Sequence, residues 1–294
     1  MENSTKNKII NIGLPFLFLM LVWGSSFVLV KHGLKVFSAV EVASLRLSAA
    51  MFAMLGFAIF QIKHIPKDKF LPLFISALLA MGVPAYLFAF AQTGVSSSIA
   101  GVLNALTPLM TFIVGISFFG QKLTTPKIVG LFLGFLGSAT LILINAKGEV
   151  SINALATLIL IATVCYGINV NFVKKYLSDL KPIHLSSITV VMVGAIAFCI
   201  LLTTSFWTKV QTHPDGYKAL REIMLLGVLG TAAAQVVFNR MLVHTSALIA
   251  SSITYFIPIV AVMWGIYEGE VFLVWHFLGM ALIIGGVLIL NRFR

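Results

Sequence analysis

Few side chains in this sequence could do chemistry, and most of them stand alone in apolar surroundings. Arg46 is the one full charge set inside a long apolar run away from its ends. A guanidinium at the centre of a bilayer costs at least ~2.5 kcal/mol, so such a residue faces a cavity or a partner, or snorkels to the headgroups. The motif WGSSF at 23–27 supplies Trp23, Ser25 and Ser26, and CYGIN at 165–169 supplies Tyr166 and Asn169, with Asn171 just beyond. Tyr86 adds a phenol, and Gln92, Gln235 and Asn239 add amides. Asn104 and Thr107 flank Pro108, and Thr254 and Tyr255 flank Pro258. A proline inside a helix frees the carbonyl four residues earlier, here those of Asn104 and Thr254. These groups donate and accept hydrogen bonds, which suits holding a small polar molecule. Helix–helix contacts offer the same groups an alternative use.

Bond-making chemistry finds no support. There is no HExxH, no P-loop and no nucleophile elbow. None of the nine Asp and Glu residues falls at the middle of an apolar run. A carboxylate able to carry a coupling proton through the membrane is therefore missing. His244 and His276 sit near run ends, too close to the surfaces for a relay. Cys165 and Cys199 lie in apolar runs without metal-ligand spacing, and neither a disulfide, a metal nor a cofactor is expected.

The elements that must position these residues are membrane helices. The chain is 60% hydrophobic and 10% charged, with a mean hydropathy of +1.05. Soluble chains carry about 25% charged residues. The net charge of +11 does not indicate nucleic acid, because the basic residues sit singly between apolar runs and form no stripe. Ten apolar segments are expected as transmembrane helices, at 11–31, 40–61, 70–91, 96–119, 126–145, 151–173, 183–207, 220–242, 247–267 and 272–291. Each approaches the ~20 residues that a helix needs to cross. Helices are the spanning form that satisfies its own backbone in lipid. The run from Ile9 is too long for a cleaved signal and lacks a small-residue cleavage site. Most of the 20 Lys and Arg residues fall on the inner side if both termini are cytoplasmic, Lys6, Lys8, Lys63, Lys67, Lys69, Lys174 and Lys175 among them. That bias sets the expected orientation in the plasma (inner) membrane.

The chain repeats itself. At an offset of 150, Ile99, Ala100, Pro108, Gly115 and Ile116 meet Ile249, Ala250, Pro258, Gly265 and Ile266. With one residue dropped, Gly130 and Gly137 meet Gly279 and Gly286, and Gly24 can be set against Gly167. Five spans per copy turn the second copy upside down, so the expected architecture is all-α, two inverted five-helix repeats at 1–146 and 147–294. Such repeats recur in secondary transporters, with the site at their interface near the midplane. The glycine-spaced fifth and tenth helices are expected to pack closely, and the protein to be a monomer or homodimer.

WGSSF in the first helix, an Arg early in the second, and proline-bearing helices followed by glycine-spaced ones resemble the EamA-type branch of the drug/metabolite transporter superfamily. The resemblance covers nearly the whole chain and is strongest at 95–144 and 246–290. It implies ten helices and a central cavity lined mainly by helices one, three, four, six, eight and nine. It also implies transport of amino acids and other small metabolites, mostly outward. By resemblance Trp23, Ser25 and Ser26 carry the first-helix signature, Asn104 and Pro108 the fourth, Tyr166 and Asn169 the sixth, and Tyr255 and Pro258 the ninth. The sequence departs from the family pattern in two places. HLSSITVV in the second half has no counterpart of Arg46, and Gln121 stands where an acid is frequent, although Glu270 is present in the second copy.

The expected function is alternating-access transport of a small metabolite, most simply export of an amino acid or a related compound. Trp23, Ser25, Ser26, Arg46, Tyr86, Asn104, Thr107, Tyr166, Asn169, Gln235, Asn239, Thr254 and Tyr255 would bind it, and Pro108 and Pro258 would flex. The partners are then a small-molecule substrate and the lipid bilayer, with no nucleic acid. The alternatives are an importer of a nucleotide-like metabolite, which would want more basic residues than Arg46, and a non-transporting membrane enzyme or scaffold.

Overall fold

The computed structural model describes residues 13–120, 125–143, 153–245 and 247–292. The expected boundary between halves at residue 146, Gln121 and the side chain of Tyr255 lie outside the described part. The described residues are helical with no strand. In chain order the helices are α1 (Leu14–Leu34), α2 (Ala39–Gln61), α3 (Lys67–Ala91), α4 (Ser97–Phe119) and α5 (Thr125–Leu143). Then come α6 (Ala156–Tyr176), α7 (Pro182–Leu202), α8 (Phe206–Thr212), α9 (Gly216–Val243), α10 (247–267) and α11 (Val274–Arg292). Seven of them, α1 to α4, α6, α7 and α9, are long and apolar enough to cross a membrane. The apolar stretches Ile128–Gly137, Ile257–Tyr267 and Val274–Gly286 are shorter. The short α8 falls where the seventh segment was expected to end.

Local chemistry sets the boundaries. Ser38 and Glu41 cap each other at the start of α2: Ser38 N donates to Glu41 Oε2 at 2.7 Å and Glu41 N to Ser38 Oγ at 3.3 Å. This reciprocal box satisfies donors that the first turn leaves open. The Ser96 hydroxyl starts α4 in the same manner, accepting from Ile99 N. Gly120 (φ 69°) and Gly269 (φ 77°) end α4 and α10 in the left-handed region that glycine adopts without strain.

Four helices are irregular. The turns Leu78–Gly82 in α3 and Leu226–Ala233 in α9 are π-helical. Helix α4 stops at Asn104 and restarts at Thr107. Helix α10 runs Ala247–Ser251, then a 3-10 turn Ser252–Tyr255, then Ile257–Tyr267. Pro108 and Pro258 each stand in the first turn of the restarted helix, where a missing N–H costs nothing. The prolines were expected to bend continuous helices; here they begin new ones.

Packing relies on glycine. A Cβ on Gly137 would stand 2.6 Å from Gly279 O, and one on Gly286 2.5 Å from Gly130 O, so α5 and α11 touch backbone to backbone. Residue 130 pairs with 286 and 137 with 279, hence the two helices run antiparallel. Gly24 of α1 admits Val260 of α10, and Gly167 of α6 admits Met110 and Thr111 of α4. Gly194 of α7 sits on Met51 and the Leu47 carbonyl of α2. Large apolar side chains such as Phe60, Phe118 and Phe135 point outward and are about 70% exposed (70%, 74% and 67%). That is the reverse of a soluble surface and suits lipid.

Candidate functional site

The helix irregularities converge on one cavity, whose empty space of about 970 Å³ includes the open solvent at its mouth. Trp23, Ser26, Phe27 and Val30 of α1 line it at the i, i+3, i+4, i+7 spacing of a single helix face. Tyr166, Asn169 and Val170 of α6 face them. The π turns contribute Ala80 and Met81 from α3, and Gly230 and Thr231 from α9. Further along the same helices come Ala85, Phe88 and Gln92, and Gln235 and Phe238. The breaks present Asn104 and Thr107 of α4, and Ser251 and Thr254 of α10. Arg46 and Leu47 enter from α2.

Aromatic rings form the walls. Phe27 meets Phe88 edge-on at 5.7 Å, Phe88 stacks on Tyr166 at 6.2 Å, and Trp23 leans on Phe238 at 5.4 Å. Trp23 Nε1 donates to Gly230 O at 3.0 Å, tying α1 to a carbonyl of the α9 π turn. Arg46 Nε donates to Thr231 Oγ1 at 2.8 Å, which orients the guanidinium in the cavity wall. Glu41 and Glu268 do not serve Arg46: the first pairs with Lys209 at 2.5 Å, the second with His32 at 3.2 Å and Lys35 at 3.9 Å. Ser76 Oγ donates to Asn169 Oδ1 at 2.7 Å, joining α3 to α6 beside the cavity. The Asn104 carbonyl, opened by the break, receives Thr107 Oγ1 at 2.7 Å.

Not every expected residue reaches this space. The Tyr86 hydroxyl is held by Ser44 Oγ at 2.8 Å, between α3 and α2. Asn239 Nδ2 donates to Ser186 Oγ at 2.9 Å, between α9 and α7. Ser25 Oγ accepts from Trp264 Nε1 at 2.9 Å. These three join helices and are absent from the lining. Asn171 likewise bonds to Thr111 O and Gly167 O, both at 2.9 Å. The lining also holds residues that sequence reasoning had not singled out: Phe88, Phe238, Thr231 and Ser251. A signal for the two phenylalanines existed, because they stand 150 apart.

The lining comes largely in pairs. At the offset of 150, Ala80, Met81, Ala85, Phe88 and Asn104 correspond to Gly230, Thr231, Gln235, Phe238 and Thr254, and all ten line the cavity. In the register that sets Gly24 on Gly167, Trp23, Ser26 and Phe27 correspond to Tyr166, Asn169 and Val170, which also line it. Val30, Arg46, Leu47, Gln92, Thr107 and Ser251 have no counterpart in the lining.

Both ends of the bundle carry polar contacts between sequence-distant helices. At the end of the 34–39 connection, His32 lies between Glu222 at 2.8 Å and Glu268 at 3.2 Å. Lys31 Nζ donates to Gln92 O at 2.9 Å. Glu270 accepts from Ser97 N at 2.8 Å and from the Ser98 hydroxyl, capping α4. At the opposite end Lys69 bonds to Asp179 Oδ1 and Tyr176 O, both at 2.9 Å. The Lys69 hydrogen bond holds the Asp179 carboxyl below the usual carboxylate range. Among the described residues no group of His, Cys, Asp and Glu is set to hold a metal.

Comparison with known proteins decides the family. The model of the EamA-like transporter family matches residues 11–143 and again 154–292. The chain belongs to the EamA-like transporter family. It is a multi-pass membrane protein and a transporter of the EamA type. Among its EamA relatives, an uncharacterized transporter of Archaeoglobus fulgidus is 28% identical over 281 residues, 92% of this chain and 95% of that one. The uncharacterized inner membrane transporter YedA of Escherichia coli is 27% identical over 256 residues, covering 84% and 79%. A probable terminal-alkyne amino-acid exporter of Streptantibioticus cattleyicolor is 24% identical over 276 residues, covering 93% and 91%. One solved crystal structure matches this EamA chain with a TM-score of 0.65 at 14% identity, covering 95% and 96%. At that identity the likeness concerns the fold alone.

Proposed function

We propose that this EamA-like transporter exports a small metabolite, an amino acid or a close relative, across the inner membrane by alternating access. The observation that carries the reading is the paired lining: the two halves of the sequence offer equivalent positions to one cavity. Residues 1–146 and 147–294 act as inverted five-helix repeats, ten crossings in all, with both termini cytoplasmic.

Exchange symmetry in the packing supports this. If Gly130 and Gly137 are equivalent to Gly279 and Gly286, a twofold axis requires contacts 130–286 and 137–279, and those are the pairs in contact. If Gly24 is equivalent to Gly167 and Met110 to Val260, the contacts 24–260 and 167–110 exchange in the same way. The antiparallel crossing of α5 and α11 puts that axis across the helices, in the membrane plane, as inverted repeats require.

The lining suits a small zwitterion. One guanidinium matches one carboxylate, and Arg46 is the one Lys or Arg among the lining residues, too little charge for a nucleotide. Trp23, Tyr166 and Phe88 offer apolar walls, while Ser26, Asn104, Thr107, Asn169, Gln235 and Thr254 offer hydrogen bonds. The name of the Streptantibioticus relative points to the same substrate class.

Counterflow of labelled amino acids in proteoliposomes tests the reading. Asn104→Leu and Tyr166→Ala are expected to cut flux at least tenfold while the protein still inserts. Wild-type flux in both variants would falsify the site.

A further inference from the structure

Gln92 combines burial, fixed orientation and an atom without a partner. Its side chain is 0% exposed. Nε2 donates to Phe27 O at 2.7 Å, and a carbonyl can only accept, so the amide cannot be turned the other way round. Phe27 O also receives Ser97 Oγ at 3.3 Å, and the Gln92 carbonyl receives Lys31 Nζ at 2.9 Å. The amide is therefore pinned at both its head and its backbone. Oε1, left facing away from Phe27, has no hydrogen-bond partner although Gln92 lines the cavity. Buried acceptors are paired in the great majority of folded structures. Oε1 has almost no accessible surface as the cavity stands, so a donor reaches it only when the lining shifts around a bound molecule.

The acceptor is also one-sided. Its counterpart at the offset of 150 is Leu242, which is buried outside the cavity. The paired positions already differ in chemistry, as Ala85 against Gln235 shows, and groups without a counterpart add to what can orient an asymmetric molecule. Four polar lining residues have no counterpart in the lining, Arg46, Gln92, Thr107 and Ser251; of these, Arg46 only donates and Gln92 Oε1 only accepts. Both enter from the first half of the chain.

Resting on the transport reading above, we propose that Gln92 Oε1 accepts a hydrogen bond from an N–H of the substrate and makes Gln92 a specificity-determining residue. The cavity then selects acids bearing an ammonium or amide N–H over analogues that lack one. The neighbouring Phe27 and Phe88 rings offer π faces that favour a cationic donor.

The test uses purified full-length protein in proteoliposomes with three probe series built on phenylalanine, leucine and glutamine. Each series holds the L-amino acid, its des-amino acid and its N,N,N-trimethyl betaine, which keeps the charge but has no N–H. Wild-type protein is expected to prefer the amino acid at least tenfold over both analogues in at least one series. Gln92→Met, which keeps length but has no strong acceptor, should bring the members of that series within twofold of one another. A wild-type protein that takes the betaine or the des-amino acid as well as the parent overturns the assignment without any variant having to fold. So does a Gln92→Met protein of unchanged melting temperature that keeps the wild-type preference, which would mean that Oε1 serves water alone. If no member of any series is bound or carried, the amino-acid reading itself fails and this assignment falls with it.

Discussion

Gly285 and Gly286 are neighbours in α11 that an added methyl group would treat in opposite ways. A Cβ at Gly286 would lie 2.5 Å from Gly130 O, 2.8 Å from Gly134 N and 3.1 Å from Leu133 Cβ. The first two are backbone atoms of α5 and cannot swing aside. Reaching ordinary contact at 3.4 Å forces the helices apart by roughly 1 Å, a gap that forfeits a quarter to a half of each dispersion contact. Overpacking of this kind costs about 1–3 kcal/mol. Alanine returns about 0.5–1 kcal/mol over glycine inside a helix, so Gly286→Ala should lose up to ~2 kcal/mol. At Gly285 nothing lies within 4 Å of the added carbon, and the helix gain stands alone. The two single-methyl variants should therefore differ by about 1–3 kcal/mol, which corresponds to roughly 2–12 °C in melting temperature. Thermal melts of the purified proteins in one detergent, followed by tryptophan fluorescence, read this difference. Equal melting temperatures would refute the backbone contact between α5 and α11. Gly137→Ala, set against Gly279 O, should behave like Gly286→Ala.

Three further outcomes follow from the cavity and its ends. Thr231→Val removes the acceptor that holds Arg46 Nε and should raise the half-saturating concentration of a transported amino acid about 2–10-fold, as loss of ~0.5–1.5 kcal/mol implies; an unchanged value in counterflow argues against Arg46 touching substrate. Trp23→Phe leaves the Gly230 carbonyl without its indole donor and should cost about 1 kcal/mol or more of stability in the same melts. Asp179→Asn tests the weakest link. The Asp179 carboxyl is held below its ordinary range by Lys69, so its contribution is complete above the unfolded value of ~3.9 and fades as the pH falls through the lower folded value. The site is exposed, so the variant should lose at most ~1 kcal/mol, equally at pH 6 and pH 8, and the loss should shrink as the pH falls through the folded value. A loss that grows between pH 6 and pH 8 would contradict the sign.

The helical segments and the repeat were legible in the sequence because lipid imposes length and apolarity on each crossing. Which side of a helix meets the cavity was not. These helices are apolar all round, so no polar stripe marks their inner face, and individual hydrogen-bonding residues had to be assigned without it. Tyr86 and Gln92 on α3 illustrate the difficulty: Gln92 shares a face with Ala85 and Phe88 and lines the cavity, whereas Tyr86 turns to Ser44. Ser25 and Ser26 differ in the same way, one meeting Trp264 and the other the cavity. The π turns could not be read either, since LLAMG at 78–82 and LGVLGTAA at 226–233 are as apolar as regular helix. The break in α4 left a trace in Pro108, but a proline signals a bend and a restart equally well.

Among the described residues α5 and α11 contribute nothing to the cavity lining, yet they bring the backbones of the two sequence repeats together. At the crossing, glycine hydrogens meet backbone, with Ile283 and Leu133 packed alongside. Any rearrangement between the repeats therefore has to carry this seam along or prise two backbones apart.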